Sequence, residues 1–297
     1  MQPVTVNPIA VWTANSDVDP PTGSRARCQK EWGEPLVNKK FPNLLSSADI
    51  TDKARLRAAA SKKSGAWLDA LPVSSLGNLL DNDGLRISVG LRLGANLCEE
   101  HTCKCGATVN TKGHHGLSCR FSAGRHSRHG AINGVIQRAL TSAGFQAVRE
   151  PNGLSRGDGK RPDGMTRTPW KLGRSLLWDV TVVDTLAQSH IGTTSATAGA
   201  AADKAEELKT SKYQALADRY IFTPIGLETF GSWGTEAFAL IKDIGQKLTS
   251  ETGEQRATSF LVQKISIELQ RGNAGSILGT FPNSRGLEEI FYVLRSS

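Results

Sequence analysis

The spacing of hydrophobic and polar residues changes along this chain, and each change marks a different element. Apolar residues recur at helical spacing over residues 124–143, which predicts an amphipathic helix. Residues 176–183 form an almost continuously apolar run, which predicts a buried strand. An Ala-, Lys- and Glu-rich stretch over about 196–218 predicts a second long helix.

Shorter patterns complete the predicted order of elements. We predict strands at 145–150, directly after Asp163 and at 220–227, and helices at 235–249 and 257–270. From residue 124 onward, the order is therefore α-β-β-β-α-β-α-α. Because strands and helices alternate, this order predicts an α/β domain over residues 124–297.

The chain before residue 98 contains two different patterns. Residues 1–47 hold six of the 12 prolines and no sustained periodicity, which predicts an extended or disordered arm. Residues 48–97 open with an Ala-rich run that Asp49 or Thr51 can cap, which predicts a helical segment.

The charge balance bears on the partner. The chain has 36 Lys and Arg against 28 Asp and Glu, a formal net charge of +8. A basic protein of this kind favours an anionic partner, most often nucleic acid. It has no apolar run of membrane-spanning length and no signal-peptide pattern. We therefore expect a nuclear or cytoplasmic protein that is neither secreted nor in a membrane.

Cysteine and histidine are concentrated in one short segment. Four of the five cysteines fall between residues 98 and 119, and five of the six histidines lie in or just after this window. Thiolate and imidazole groups at such spacing are typical of a structural Zn²⁺ site. The preferred ligands over residues 98–123 are Cys103, Cys105, His115 and Cys119. Cys98 could replace Cys103, and His101 or His114 could replace His115; free buried thiols or a disulfide are the alternative.

Two carboxylates form a second candidate site. Asp179 lies between Trp178 and Val180 in the predicted strand, where a charge is costly unless it is paired. Asp163 enters the preceding strand. Two carboxylates on neighbouring strands suit Mg²⁺, which also takes water and phosphate oxygens. The alternative is a structural role, in which Arg161 or a helix end satisfies each acid.

The sequence Pro162-Asp163 followed by Asp179 resembles the PD-(D/E)xK nuclease superfamily. With the cysteine segment upstream, it resembles the C-terminal region of early-branching, site-specific non-LTR retrotransposon reverse transcriptase polyproteins. This resemblance covers about residues 50–280. It implies a restriction-endonuclease-like three-layer core (αβββαβ), structural Zn²⁺, catalytic Mg²⁺, DNA as substrate and element RNA as a further partner. No polymerase motif is present, so reverse transcription is not predicted.

The chain departs from the superfamily pattern at one position. The pattern has a lysine two residues after the second acid, where this chain has Thr181. Relatives of the retrotransposon kind can supply this lysine from the following helix, which offers Lys204, Lys209 and Lys212. Lys209 and Lys212 lie about 60° apart around a helix, and we prefer Lys209. An exposed charged face is the alternative for these lysines.

Further candidates surround the two acids. We predict phosphate contacts from the start of the 124–143 helix, which resembles the Arg-His-Asn helix of the same retrotransposon group, and from two residues near the acids. This set is Arg125, Arg128, His129, Asn133, Arg161 and Tyr213. A solvated helix start is the alternative. Glu150 is a candidate third acid, or else pairs with Arg149 or Arg156.

These features predict a Mg²⁺-dependent endonuclease that nicks target DNA for insertion of a mobile element. One alternative is a nucleic-acid-binding module with a decayed active site, which Thr181 favours. Another is a junction-resolving nuclease of the same superfamily, which would need a dimer surface. The sequence does not specify an oligomeric state.

Overall fold

The computed structural model describes residues 7–16, 19–20, 28–154 and 161–281. The chain divides into two compact units, Met1–Lys53 and Ala54–Ser297. Among the described residues, no helix combines the length and apolar character that crossing a bilayer requires.

The first unit contains helices α1 (Pro8–Thr13) and α2 (Cys28–Ser47), so these two parts of the expected extended arm over residues 1–47 are helical. Pro35 and Pro42 lie inside α2. Each removes one backbone donor, but the residues between them keep helical geometry. The rings of Trp12 and Trp32 meet edge to face, 5.2 Å apart, and this contact joins the two helices.

The predicted helical segment over residues 48–97 is helical but interrupted. It contains helix α3, two short 3₁₀ turns and helix α4, whose bounds are Ile50–Ala60, Ala66–Asp69, Ser74–Leu76 and Asn82–Leu93. The side chain of Asp81 caps α4 by accepting a hydrogen bond from the Gly84 N–H. Gly94 ends this helix in the left-handed conformation, with φ of 71°.

A four-stranded mixed sheet forms the centre of the second unit. A small antiparallel hairpin precedes the sheet in the chain and consists of β1 (His101–Thr102) and β2 (Thr108–Val109). The short helix α5 (His115–Ser118) follows the hairpin. The sheet order is β3-β4-β5-β6, with β5 and β6 parallel and the other pairs antiparallel. The remaining elements are α6 (Ala123–Ser142), β3 (Ala147–Arg149), β4 (Gly164–Thr166), β5 (Leu176–Val183), α7 (Ile191–Thr194), α8 (Ala200–Lys212), β6 (Ile221–Glu228), α9 (Thr235–Thr252) and α10 (Ala257–Leu278). A third 3₁₀ turn, Gln214–Leu216, follows α8.

This order confirms the predicted mixed α/β class. The strand predicted at 176–183 is β5, with the same bounds. The helix predicted at 196–218 is shorter, because the chain has a left-handed residue, Gly199, with φ of 87°, before α8 begins.

Helices cover both faces of strand β5. Leu176, Trp178 and Val180 pack in one cluster with Ile132 and Ile136 of α6. Side chains alternate along a strand, so Asp179 points to the opposite face, where it meets α8. The sheet thus separates α6 from α8.

Two buried carboxylates fix the starts of α8 and α9, which both follow a glycine without a capping side chain. Glu228 of β6 accepts a hydrogen bond from the Ala201 N–H of α8. Glu206 of α8 accepts hydrogen bonds from the Glu236 and Ala237 N–H groups of α9. Burial raises the pKa of both acids, although these backbone donors oppose the shift. Strand β6, α8 and α9 are thereby tied together.

Gly164 provides a test of the packing beside Asp163. A Cβ at this position would overlap the indole ring of Trp178. We expect Gly164→Ala to lower the free energy of unfolding by about 1–3 kcal/mol, as overpacking does. Urea denaturation measures the change. A matched control is Gly192→Ala, where a Cβ meets open space; equal unfolding midpoints for both variants would contradict the packing.

Candidate functional site

Three cysteines and one histidine come together where the small hairpin meets α5. One ligand atom from each of Cys103, Cys105, His115 and Cys119 lies within 4.8 Å of the others. The Sγ atoms of Cys103 and Cys119 are 3.8 Å apart, and Cys105 Sγ is 3.1 Å from His115 Nε2. Two sulfurs at 2.3 Å from a tetrahedral ion are separated by about 3.8 Å. The predicted Cys₃His set could therefore hold a metal ion such as zinc.

Local geometry explains how the short C-x-C spacing works. The Gly106 N–H donates to the Cys103 carbonyl at 2.8 Å, and Gly106 has φ of 87°. This tight turn brings Cys105 back beside Cys103. His115 and Cys119 are four residues apart across α5, a spacing that puts both on one side of the helix turn.

The alternative ligands lie outside this cluster. The Cys98 thiol donates to the carbonyl of Asn110 at 3.4 Å. His101 stacks on Phe281 with ring centroids 4.4 Å apart, and its Nε2 is 2.9 Å from Thr280 Oγ1. The ring of His114 lies with its edge towards Phe230. None of these three belongs to the group that could hold a metal among the described residues.

Burial and hydrogen bonding shift the pKa values of two of these thiols in opposite directions. Burial raises the pKa of Cys119 to about 11, whereas a backbone hydrogen bond from Ala107 lowers the pKa of Cys105. Thiolate is the form that binds zinc, and a cation beside a buried sulfur favours its ionisation. A metal in the cluster would therefore stabilise thiolates that burial alone disfavours.

The carboxylate of Asp163 is held by α6 and β5. Its Oδ2 lies 2.9 Å from His129 Nε2, and it accepts hydrogen bonds from Asn133 Nδ2 at 3.1 Å and the Val180 N–H at 2.7 Å. Burial raises the pKa of Asp163, but these hydrogen bonds and the His129 charge outweigh burial, and the net shift is downward. The same bond raises the pKa of His129 against burial. Trp178 Nε1 donates to Asn133 Oδ1 at 2.9 Å and fixes that amide.

Asp179 is paired with a lysine of α8. Its side chain is only 4% exposed, and Lys209 Nζ of α8 lies 2.6 Å from its Oδ1. Thr181 is on the same face of β5, and its buried Oγ1 has no hydrogen-bond partner among the described residues. The structure therefore places a lysine from α8 beside the second acid, where residue 181 offers none.

The two acids belong to one electrostatic group. The charges of Asp163, Asp179 and Lys209 all act on the His129 ring. The backbones also connect, since the Asp163 N–H donates to the Trp178 carbonyl at 3.0 Å. We call Asp163, Asp179, His129, Asn133 and Lys209 the carboxylate cluster.

Arg128 does not fit the predicted phosphate contact. Its side chain is 2% exposed, and Nη1 donates to Asn273 Oδ1 of α10. Burial lowers its pKa to about 10. Arg125, one turn earlier, is exposed and donates to the Ser118 carbonyl at 3.2 Å. Of these two arginines, only Arg125 is placed to meet a ligand from solvent.

Glu150 and Arg161 form a surface ion pair with each other. The side chain of Glu150 is 61% exposed, against 19% for Asp163 and 4% for Asp179. This pairing differs from the alternatives considered from the sequence, Arg149 and Arg156; Arg156 lies outside the described residues. The pair neutralises the charge that Glu150 would bring to a metal, so we give it no role as a third acid.

Lys212 and Tyr213 interact with each other. Lys212 Nζ lies 4.6 Å from the centroid of the Tyr213 ring and donates to its hydroxyl at 3.1 Å. Tyr213 is 1% exposed and packs against Phe222 with centroids 4.7 Å apart. A buried ring does not fit the predicted DNA contact. Of Lys209 and Lys212, Lys209 is the lysine that pairs with Asp179.

Sequence reasoning missed Asn273, which joins α6 to the end of β6. It accepts the hydrogen bond from Arg128, and its Nδ2 donates to the Thr229 carbonyl at 2.6 Å. Asn273 lies in the last third of α10 and is fully buried. The available signal was an amide side chain at a position that faces the core. Such a residue must find polar partners.

We expect purified protein to contain about one zinc per chain, because four ligands converge on one point. Cys119→Ser should lose the metal and lower the melting temperature. The matched control, Cys98→Ser, should keep it, since Cys98 lies outside the cluster. Elemental analysis of reduced protein measures the zinc content of both variants, and thermal unfolding measures their melting temperatures. Metal-free wild-type protein, or equal metal loss in both variants, would contradict this assignment.

We compared the chain with protein-family models and with curated proteins, and neither comparison gives a match. The resemblance to retrotransposon nucleases therefore stays an expectation from sequence motifs. What the carboxylate cluster does has to be inferred from its own side chains.

Proposed function

We propose that this chain is a Mg²⁺-dependent endonuclease that nicks DNA, and that the nick serves insertion of a mobile element. The single observation that carries the proposal is the 2.6 Å ion pair between Lys209 Nζ and Asp179 Oδ1. A nuclease of the PD-(D/E)xK kind needs an acid and a lysine side by side. Here α8 supplies the lysine that is absent at Thr181.

The order of elements supports a restriction-endonuclease-like core. The sequence α6-β3-β4-β5-α8-β6 follows the αβββαβ order that the resemblance implies, if the short α7 is counted with α8. Helices lie on both faces of β5, as a three-layer arrangement requires. Asp163 directly precedes β4, and Asp179 lies within the neighbouring strand β5.

The two carboxylates fit the ligand preference of Mg²⁺. This ion is commonly held by one or two carboxylates, with waters and phosphate oxygens completing its shell. Asp163 and Asp179 would hold it. Asp163 uses Oδ2 for its hydrogen bonds to His129, Asn133 and Val180, which fixes the orientation of the carboxylate. Bound Mg²⁺ would polarise the phosphate and activate water.

The protein's own side chains have distinct roles in this proposal. Lys209 is 27% exposed at its side chain, so solvent and a phosphate can reach it. Its ammonium group would offset the charge that develops on the phosphate and position the attacking water. His129, 43% exposed, would contact a neighbouring phosphate while it orients Asp163.

Plasmid nicking in Mg²⁺ tests the proposal. Asp179→Asn should abolish nicking, because it removes a metal ligand and the partner of Lys209. Lys209→Ala should reduce the rate by roughly a hundredfold, the scale typical of general acid–base groups. The matched control is Lys204→Ala, an exposed lysine on the same helix, which should nick at the wild-type rate.

Two results would overturn the proposal. If wild-type protein binds DNA but never cuts it, the chain is a binding module with a decayed site. If Lys209→Ala nicks as fast as Lys204→Ala while Asp179→Asn is inactive, the role given to Lys209 is wrong.

The salt dependence of duplex binding should distinguish Arg125 from Arg128. Arg125→Ala should weaken binding and reduce the slope of log K against log salt by about one, because one phosphate contact is lost. Arg128→Ala should instead lower the melting temperature, because it removes a buried hydrogen bond to Asn273. Fluorescence anisotropy and thermal unfolding measure the two effects. An unchanged slope for Arg125→Ala would contradict the predicted phosphate contact.

A further inference from the structure

We infer that the cysteine-rich segment, residues 98–123, carries a separate site for single-stranded DNA, in which an unpaired base stacks on Phe121. This residue follows the metal-ligand candidate Cys119 by two positions. Its side chain is 58% exposed, although most aromatic residues in the second unit pack inside. An aromatic face open to solvent can bind a base face, whatever the base.

The surrounding charge favours a polyanion. Residues 101–149 contain seven Lys and Arg and no Asp or Glu, in a chain that has 28 acids in total. The seven are Lys104, Lys112, Arg120, Arg125, Arg128, Arg138 and Arg149. Even with Arg128 buried, this stretch is uniformly basic. The stretch itself attracts phosphate, and the nearest acids in sequence, Glu99, Glu100 and Glu150, lie at its two ends.

The geometry joins the aromatic ring to cations. The Arg120 guanidinium carbon lies 4.9 Å from the centroid of the Phe121 ring. Arg125 is anchored nearby, since it donates to the carbonyl of Ser118, three residues before Phe121. A ring with guanidinium groups beside it combines base stacking with phosphate contacts, the usual combination in single-strand sites.

A short basic stripe leads from this ring towards the carboxylate cluster. It consists of Arg125 and His129, which are four residues apart on one side of α6, about 6 Å along the helix. Asn133, one turn further, is 1% exposed and does not belong to the stripe. His129 and Asn133 contact Asp163. A strand that leaves the cluster could follow this stripe to Phe121. This path rests on the proposed function, whereas stacking on Phe121 does not.

The partner is single-stranded because a duplex hides its base faces. Bases in a helix are stacked on their neighbours, so a ring on the protein surface cannot reach them without unstacking. Stacking on aromatic residues tolerates any sequence. We therefore expect the site to prefer single strands over duplex and to show little base preference.

The experiment uses the full chain carrying Asp179→Asn, loaded with zinc and without Mg²⁺, so that nothing is cut. Fluorescence anisotropy measures binding of labelled single strands of about 15 nucleotides, with oligo-dT, oligo-rU and a duplex of equal length as three arms. Phe121→Ala should lower affinity for oligo-dT about tenfold. Phe121→Leu should behave like Ala, and Phe121→Trp should bind like the parent.

A matched control exists elsewhere on the surface. Phe260 is 44% exposed, and the Arg256 guanidinium carbon lies 4.9 Å from its ring centroid. Arg256, however, is paired with Glu254. Phe260→Ala should therefore leave affinity for oligo-dT unchanged.

Equal affinities for Phe121→Ala and Phe260→Ala would overturn the inference, as would full affinity in Phe121→Leu. Comparing Leu with Trp keeps the test valid if the Ala variant loses zinc. If oligo-rU binds as tightly as oligo-dT, the result supports base stacking on single strands of either sugar. If the chain prefers the duplex to oligo-dT, the inference is overturned. If the wild-type chain does not nick plasmid in Mg²⁺ while oligo-dT binding is intact, the nuclease proposal alone is refuted.

Discussion

The burial of Asp179 is the constraint on which the site depends. A carboxylate at 4% exposure within an apolar strand requires a cation, and residue 181 on the same face is a threonine. The cation comes from α8, so α8 must lie at a fixed position over β5. Glu228 provides that position by capping the first turn of α8 from β6. Packing of the sheet and chemistry of the site are therefore set by the same helix.

The two acids are held by different helices. Asp163 is fixed by His129 and Asn133 of α6, and Asp179 by Lys209 of α8. Strand β5 contributes to both, through the Val180 N–H and through Asp179 itself. Such an arrangement is rigid, because moving either helix would leave a buried carboxylate without its partner.

Local sequence patterns predicted the elements well and the contacts between them less well. The apolar, β-branched run over residues 176–183 predicted the bounds of β5, because such short runs are typical of buried strands. The spacing of cysteine and histidine identified the Cys₃His set. Prolines 35 and 42 suggested an extended arm where α2 forms. The position of Arg128 at the start of the 124–143 helix predicted a phosphate contact, but the sequence could not show that Gly272 of α10 leaves room for its side chain.

The position of the cysteine-rich segment, residues 98–123, follows from its small core. Among the described residues, its own buried cluster consists of Cys103, Val109 and Cys119. It therefore relies on α10, and Gly116 lies so close to Ile277 that a Cβ there would be 2.9 Å from the Ile277 Cα. Immediately after it, the Ser122 hydroxyl donates to the Ser276 carbonyl of the same helix. Because α6 begins at the next residue, the Cys₃His cluster, the end of α10 and the first turn of α6 form one connected structure. That turn leads to His129, so the metal cluster has a direct physical connection to the orientation of Asp163.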